Sequence, residues 1–348
     1  MTLLLVATAA AAAAIAALLV RLLRPAFVRY ALARPNARSS HTEPTPQGGG
    51  IPVLAATIGA SAAALSLSGE PVTSGLALVA GAAVVLAILG GTDDVRPLPV
   101  GLRLAVQAMG VFALLGTFGS ARLLPVEVPA YLELGLLLLA LLWWVNLVNF
   151  MDGIDWLTVA EFVPLTAALA LSGLVGAVPL PVALTAAALC GGLCGFAPAN
   201  RPVARLFLGD VGSLPIGLVT GWLLLNLAMF GSLPAALLLP MYYGADATLT
   251  LLARLRRGAR VWEAHREHAY QRALSNGYRV IDVDRRVFGL NVGLAALAAL
   301  CLAWPDPAVD AVALGLGAVL TGLTLRAFGQ PRGPSSRDRE AEPGTHKR

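Results

Sequence analysis

Apolar residues along this chain run in blocks of about 17 to 20 instead of alternating with polar ones at an amphipathic period. Blocks of that length span roughly 30 Å of hydrocarbon when helical. Eleven are predicted, at about 2–20, 51–67, 73–91, 103–119, 131–148, 158–174, 178–197, 213–230, 234–253, 287–304 and 308–326. The last two are separated only by Trp304, Pro305, Asp306 and Pro307, a short polar turn. Alanine, leucine, valine and glycine dominate the blocks, so helices can approach closely through small residues. The pattern predicts an all-α polytopic membrane protein of about eleven transmembrane helices. Residues 1–328 form its single transmembrane domain, with a basic loop at 254–286 included. Residues 329–348, rich in Pro, Gly, Ser and charge, read as a disordered cytoplasmic tail.

Composition removes the water-soluble alternative. Fifty-seven percent of residues are hydrophobic and 13% charged, where a soluble domain carries about 25% charged residues. Mean hydropathy is +0.74. Charge then sets orientation. No Lys or Arg precedes the first block, while Arg21, Arg24, Arg29, Arg34 and Arg38 follow it, the reverse of a cleaved signal peptide. With the N-terminus outside, in the periplasm, 24 of the 25 Lys and Arg residues fall on cytoplasmic connections and only Arg122 does not. That split places the C-terminus in the cytoplasm. The net charge of +5 describes basic loops beside an anionic leaflet and needs no nucleic acid. Cys190, Cys194 and Cys301 lie within apolar spans and read as small buried residues, not as a disulfide or metal site.

The other polar residues collect on the same side. They are His41 to Gly50, Gly91-Thr-Asp-Asp-Val95, Asn146 to Asp155, Phe207-Leu-Gly-Asp-Val-Gly-Ser213 and His265-Arg-Glu-His-Ala-Tyr-Gln-Arg272. Carboxylates at span ends are costly and are functional candidates by default. Asp93 and Asp94 differ by about 100° on a helix, so they point different ways. As a pair at a helix C-terminus they oppose the macrodipole, and alone they read equally as a solvated helix end. Asn146, Asn149, Asp152 and Asp155 recur every third residue. A straight helix would scatter them, and Gly153 offers a break that lets Asn149 and the two aspartates converge. In the Gly209–Ser213 string, glycines permit close backbone approach to a phosphate and Ser213 is placed to cap the next helix, although such dipeptides also make ordinary turns. Phe207 suits base stacking or interfacial anchoring. His265 and His268 are three apart and suit one helix face. No Cys or third clustered His completes a zinc set, and Arg266 and Arg272 suit a diphosphate, or a basic loop lying on anionic lipid. A site rich in oxygen donors and poor in thiolates favours Mg2+, which takes one or two carboxylates plus substrate phosphates and water.

In order and spacing these five motifs, from His41 to Arg272, resemble those of the polyprenyl-phosphate N-acetylhexosamine-1-phosphate transferases, which include the phospho-N-acetylmuramoyl-pentapeptide transferases. The resemblance implies a transmembrane catalytic domain. In it a polyprenyl phosphate acceptor attacks the β-phosphate of a UDP-N-acetylhexosamine donor, releasing UMP and initiating a cell-surface polysaccharide. By motif, Asp93, Asp94, Asp152 and Asp155 match catalytic positions, Asn149 and Asp210 metal positions, and His41, Phe207, His265, His268 and Arg272 substrate-binding positions. The form His-Arg-Glu-His-Ala-Tyr-Gln-Arg resembles the O-antigen and capsule initiators more than the muramoyl-pentapeptide enzymes. Two departures stand out: Trp156 where the family usually has Gly, and Ala33-Arg34 where Leu-Asp is commoner. The implied partners are the donor, the acceptor and the lipid bilayer, with a homodimer left open. Two other classes compete: a secondary transporter, whose charges would sit near the bilayer midplane, and a non-catalytic scaffold of a polysaccharide assembly complex.

Overall fold

The computed structural model describes residues 1–33, 44–260 and 265–332. Its helices are α1 (Thr2–Tyr30), α2 (Gly50–Ser68), α3 (Ser74–Val95), α4 (Val100–Gly116), α5 (Ala130–Met151), α6 (Leu157–Ser172), α7 (Leu180–Phe196), α8 (Asp210–Phe230), α9 (Leu233–Leu238), α10 (Met241–Arg256), α11 (Ala269–Ser275), α12 (Val280–Ala303) and α13 (Pro307–Phe328). A two-residue antiparallel ladder, β1 (Leu32–Ala33) with β2 (Thr45–Pro46), follows α1. Among the described residues, eight helices are long and apolar enough to cross a membrane: α1, α2, α3, α5, α6 with its short extension to Val175, α8, α12 and α13. Two shorter apolar helices, α4 and α7, occupy two more of the expected blocks. The block expected at 234–253 is divided between α9 and α10, with Pro240 as the N-cap of the second piece.

Among its described residues, the expected loop 254–286 contains the end of α10, all of α11 and the first turns of α12. Hydropathy cannot see a helix that outlasts its apolar stretch. Accordingly α12 starts at Val280, with Arg279 paired to Asp282 at its first turn. The expected tail is tied at its start, where Arg332 N–H donates to Asn276 O at 2.9 Å. Residues 333–348 lie outside the described residues.

α8 is the hub: every residue from Val211 to Leu227 is buried. Helices α2, α3, α5 and α9 pack round it, and α7 is enclosed by α1, α2 and α6. The seam between α1, α2 and α7 is a cluster of small residues, Ala12, Ala16, Ala56, Ala60 and Ala188, as the composition implied. At the far end from the polar motifs, Arg122 is ion-paired with Glu133 at the start of α5.

Deep in the bundle, Glu161 on α6 and Asn291 on α12 are 0% and 2% exposed. Asn291 Nδ2 donates to Glu161 Oε2 at 2.6 Å, while Glu161 Oε1 and Asn291 Oδ1 have no hydrogen bond of ordinary geometry. A glutamine at 161 keeps the acceptor for Nδ2 and leaves no ionisable group at that depth. Glu161→Gln is therefore expected to melt at or above wild type in detergent. Glu161→Ala, which leaves Asn291 Nδ2 only the carbonyl of Ala160, should lose about 1–3 kcal/mol. Equal melting of all three would show that the pair does not hold α6 to α12.

Candidate active site

The site is built where the end of α3 crosses the start of α8. Gly90 lies so close to α8 that a Cβ there would stand 2.2 Å from Asp210 O. This contact brings the last turn of α3 onto the α8 N-terminus. Asp94 then spans it: Oδ1 accepts from Asp210 N at 3.0 Å and Oδ2 from Val211 N at 3.1 Å. The carboxylate that opposes the dipole of its own helix thus sits on the favourable end of another. Gly209 precedes α8 with φ +77°, and a Cβ there would meet Asp94 Oδ2 at 2.6 Å, so the position demands glycine on both counts. Ser213, expected to cap this helix, lies a turn inside it, and its hydroxyl accepts from Asn149 Nδ2 at 2.9 Å. The cap comes from α3 instead.

Asp93 points elsewhere, as the 100° step requires. Its Oδ1 accepts from Leu98 N and its Oδ2 from Arg103 Nη1, each at 2.6 Å, so it fixes the entry to α4. Asn149 Nδ2 also donates to Asp210 Oδ1 at 2.7 Å, which joins α5 to α8 at the site. Asn146, one turn earlier, donates instead to Gln107 on α4.

α5 ends at Met151, and Asp152 follows as its C-cap. Thr158 Oγ1 donates to Asp152 Oδ1 at 2.5 Å. Desolvation raises the Asp152 carboxyl to about 7, with the Thr158 hydrogen bond opposing and the charges of Asp210 and Asp155 adding. A carboxyl raised in the folded state binds more protons there than in the unfolded chain. Stability from this group is complete below the unfolded value of 3.8 and is lost as pH rises towards 7. Asp152→Asn should therefore gain in melting temperature over wild type as pH climbs from about 4 to about 7. A pH-independent difference would overturn this reading.

The turn after α5 does not converge as the spacing suggested. The left-handed residue is Trp156, with φ 62°, and not Gly153. Trp156 is held by Asn200 Oδ1 on its N–H at 2.8 Å and by Ala197 O on its indole N–H at 2.6 Å. Asp155 is buried and turned towards the same segment, accepting from Ala204 N at 2.9 Å. It therefore braces the loop leading to Phe207, while its charge also acts on Asp152. Phe207 is half-buried; its N–H donates to Pro46 O and its carbonyl accepts from Gly49 N, both at 2.9 Å, so the glycine-rich segment seats that loop.

The histidines do not share a helix face. His265 precedes α11 in non-helical backbone and His268 is its N-cap, the two rings tilted with centroids 4.8 Å apart. His268 stacks on Tyr270, whose hydroxyl donates to Phe150 O at 3.3 Å and packs against Gly153. This brings the histidine segment beside Asp152. Arg272, one turn on, faces away into a cavity that Asp210 does not line. His41 lies outside the described residues.

Sequence reasoning missed Asp246 on α10, which is 1% exposed and accepts from Ala269 N at 2.8 Å and Tyr270 N at 3.3 Å. It seats the start of α11, with His268 Nδ1 3.6 Å away. A lone carboxylate inside a predicted span was the available signal.

A pocket of about 380 Å³ opens between α4 and α5. Asn149, Asp210 and Arg103 line one part of it, and Leu104, Leu139, Leu142, Trp143 and Leu214 much of the rest. Among the described residues no group of three or more His, Cys, Asp or Glu side chains is arranged to hold a metal. One carboxylate beside an amide and a hydroxyl still fits Mg2+, which completes its shell with phosphate and water. Zinc is not supported by this donor set.

Fold and site together define a multi-pass membrane protein with a carboxylate-rich centre at one end of the bundle. Residues 76–228 match glycosyl transferase family 4. Over 339 residues the chain is 29% identical to a decaprenyl-phosphate N-acetylglucosaminephosphotransferase of Mycobacterium leprae, covering 84% of this chain and 82% of the relative. A Mycobacterium tuberculosis protein of the same name is 29% identical, over 83% and 80%. A phospho-N-acetylmuramoyl-pentapeptide-transferase of Leuconostoc citreum is 30% identical over 50% of this chain and 59% of its own length. In its matched segment and its long-matching relatives the chain is similar to transferases that act on polyprenyl phosphates.

Proposed function

We propose that the protein transfers an N-acetylhexosamine 1-phosphate from a UDP-sugar to a polyprenyl phosphate, releasing UMP. The observation that carries this reading is the pocket between α4 and α5. It sets Asp210, Asn149 and the Arg103 guanidinium against an apolar wall whose Leu139 is 65% exposed, a shape suited to a phosphate on a hydrocarbon chain. A transporter's charges would line the middle of the bundle, whereas these lie at helix ends. In the reaction an oxygen of the lipid phosphate bonds to the β-phosphorus of the donor, the Pβ–O–Pα bridge breaks, and its electrons leave on UMP.

Mg2+, when bound, would neutralise charge on the diphosphate, and Asp210 would hold it with Asn149 alongside. Asn149 presents its N–H2 to Asp210, which supports an orienting role for the amide. Asp93, with both oxygens engaged, acts through Arg103, which it aims at the acceptor phosphate. His265 and His268 take the donor's phosphates and Phe207 its uracil. Eleven crossings, with this end of the bundle in the cytoplasm of a bacterial inner membrane, agree with the charge split along the sequence. The product starts a cell-surface polysaccharide, and the names of the long-matching relatives favour N-acetylglucosamine as the sugar.

The test is incubation of purified protein with undecaprenyl phosphate and a panel of UDP-sugars, reading UMP and the lipid product. UMP release that requires both substrates is expected. Absence of UMP with every N-acetylhexosamine donor would remove the proposal.

A further inference from the structure

Behind the histidine segment, between α10, α11 and the end of α13, lies a cavity of about 590 Å³ that shares no lining residue with the pocket holding Asp210. Four guanidiniums from separate stretches of chain reach it: Arg257, Arg266, Arg272 and Arg326. Two carboxylates also line it, and both are already engaged. Glu267 is ion-paired with Arg254 and Arg257, and Asp246 accepts from the first N–H groups of α11. Arg272 and Arg326, by contrast, have no side-chain partner among the described residues, and both are exposed. Two unpaired guanidiniums facing one cavity form an anion site that nothing within the described chain fills.

The depth of the cavity indicates the source of the anion. Leu249 of α10 and Leu325 of α13 line it beside the arginines. Leu249, Leu252 and Leu255 are exposed along α10, as Leu320 and Leu323 are along α13. The cavity thus sits where lipid-facing leucines give way to arginines, the level of a phospholipid headgroup. A soluble nucleotide offers no apolar part for that wall.

We propose that this cavity binds the phosphate headgroup of an anionic phospholipid, held by Arg272 and Arg326 with its acyl chains along α10 and α13. The site is independent of the transferase reading, although it adjoins the segment carrying His265 and His268 and shares Asp246 with it.

The test uses full-length purified protein and a fluorescent short-chain phosphatidylglycerol, with phosphatidylcholine as comparison. Phosphatidylglycerol is expected to bind more tightly. Arg326→Gln should weaken it about tenfold, the loss of one charge-assisted hydrogen bond, while Arg326→Lys keeps most of the affinity. Melting and elution like wild type establish that the variant is folded; if Arg326→Gln fails this check, Arg257→Gln takes its place, since Arg254 still holds Glu267. Equal binding of the two lipids, or a folded variant with unchanged preference, overturns the proposal. Displacement of the lipid by millimolar inorganic phosphate or UDP would overturn the lipid source and assign the cavity to a soluble phosphate.

Discussion

Asp210→Asn is expected to lower turnover at least about 10³-fold, the scale on which charge-stabilising groups act in phosphoryl transfer. The variant should still fold, because what Asp94 binds at this position is the backbone N–H and not the side chain. Asn149 Nδ2 can likewise donate to the amide oxygen of an asparagine. The substitution therefore removes charge with little change of shape, which separates electrostatics from packing. Asp210→Ala should be at background. The measurement is UMP release by protein that elutes and melts as wild type does, with EDTA expected to mimic the loss. Near-normal turnover in a folded Asp210→Asn variant would exclude this carboxylate from the chemistry.

The second large effect concerns a residue with no chemistry of its own. A methyl group at position 90 would sit 2.2 Å from Asp210 O, 2.3 Å from Asp210 C and 2.7 Å from Val211 N. All three are backbone atoms and cannot rotate away, so α3 and α8 must separate. Mid-helix Gly→Ala is ordinarily favourable by about 1 kcal/mol, but overpacking here costs about 1–3 kcal/mol or more. Gly90→Ala should therefore lower the melting temperature and, by drawing Asp94 off the α8 N-terminus, reduce activity in whatever protein folds. Gly59 and Gly81, with nothing within 4 Å of an added Cβ, are the controls and should be neutral or slightly stabilising as alanine. A Gly90→Ala variant as stable and active as those controls would refute the close contact as the device that aligns the site.

The motifs were legible in the sequence because each is a polar interruption at the end of an apolar block. Asp94, Asn149, Asp152 and Asp210 do come together at one end of the bundle. Most of their individual tasks were not legible, since these depend on distant partners, 61 positions away for Asn149 with Asp210 and 117 for Asp94 with Val211. Three-residue spacing grouped Asp155 with Asn149, but the turn at Trp156 directs it to Ala204. His265 and His268 were placed on a helix face because spacing alone does not reveal where a short helix starts, and α11 begins one residue after His268. Asp246 and Glu161 were overlooked because each is one polar residue within an apolar run, and only the fold supplies their partners on α11 and α12. The helical extension of α12 beyond its apolar stretch was hidden for the converse reason.

Trp156 combines a backbone cost with a supporting role. A side chain at φ 62° costs about 1–2 kcal/mol where glycine costs little, yet here the indole and backbone N–H are bound by Ala197 and Asn200. The loop that delivers Phe207 thereby depends on the residue at position 156. Replacing it with glycine relieves the backbone and releases the loop in one stroke. Two neighbouring segments are contingent on each other, so grafting a foreign 197–206 loop should succeed only when position 156 travels with it.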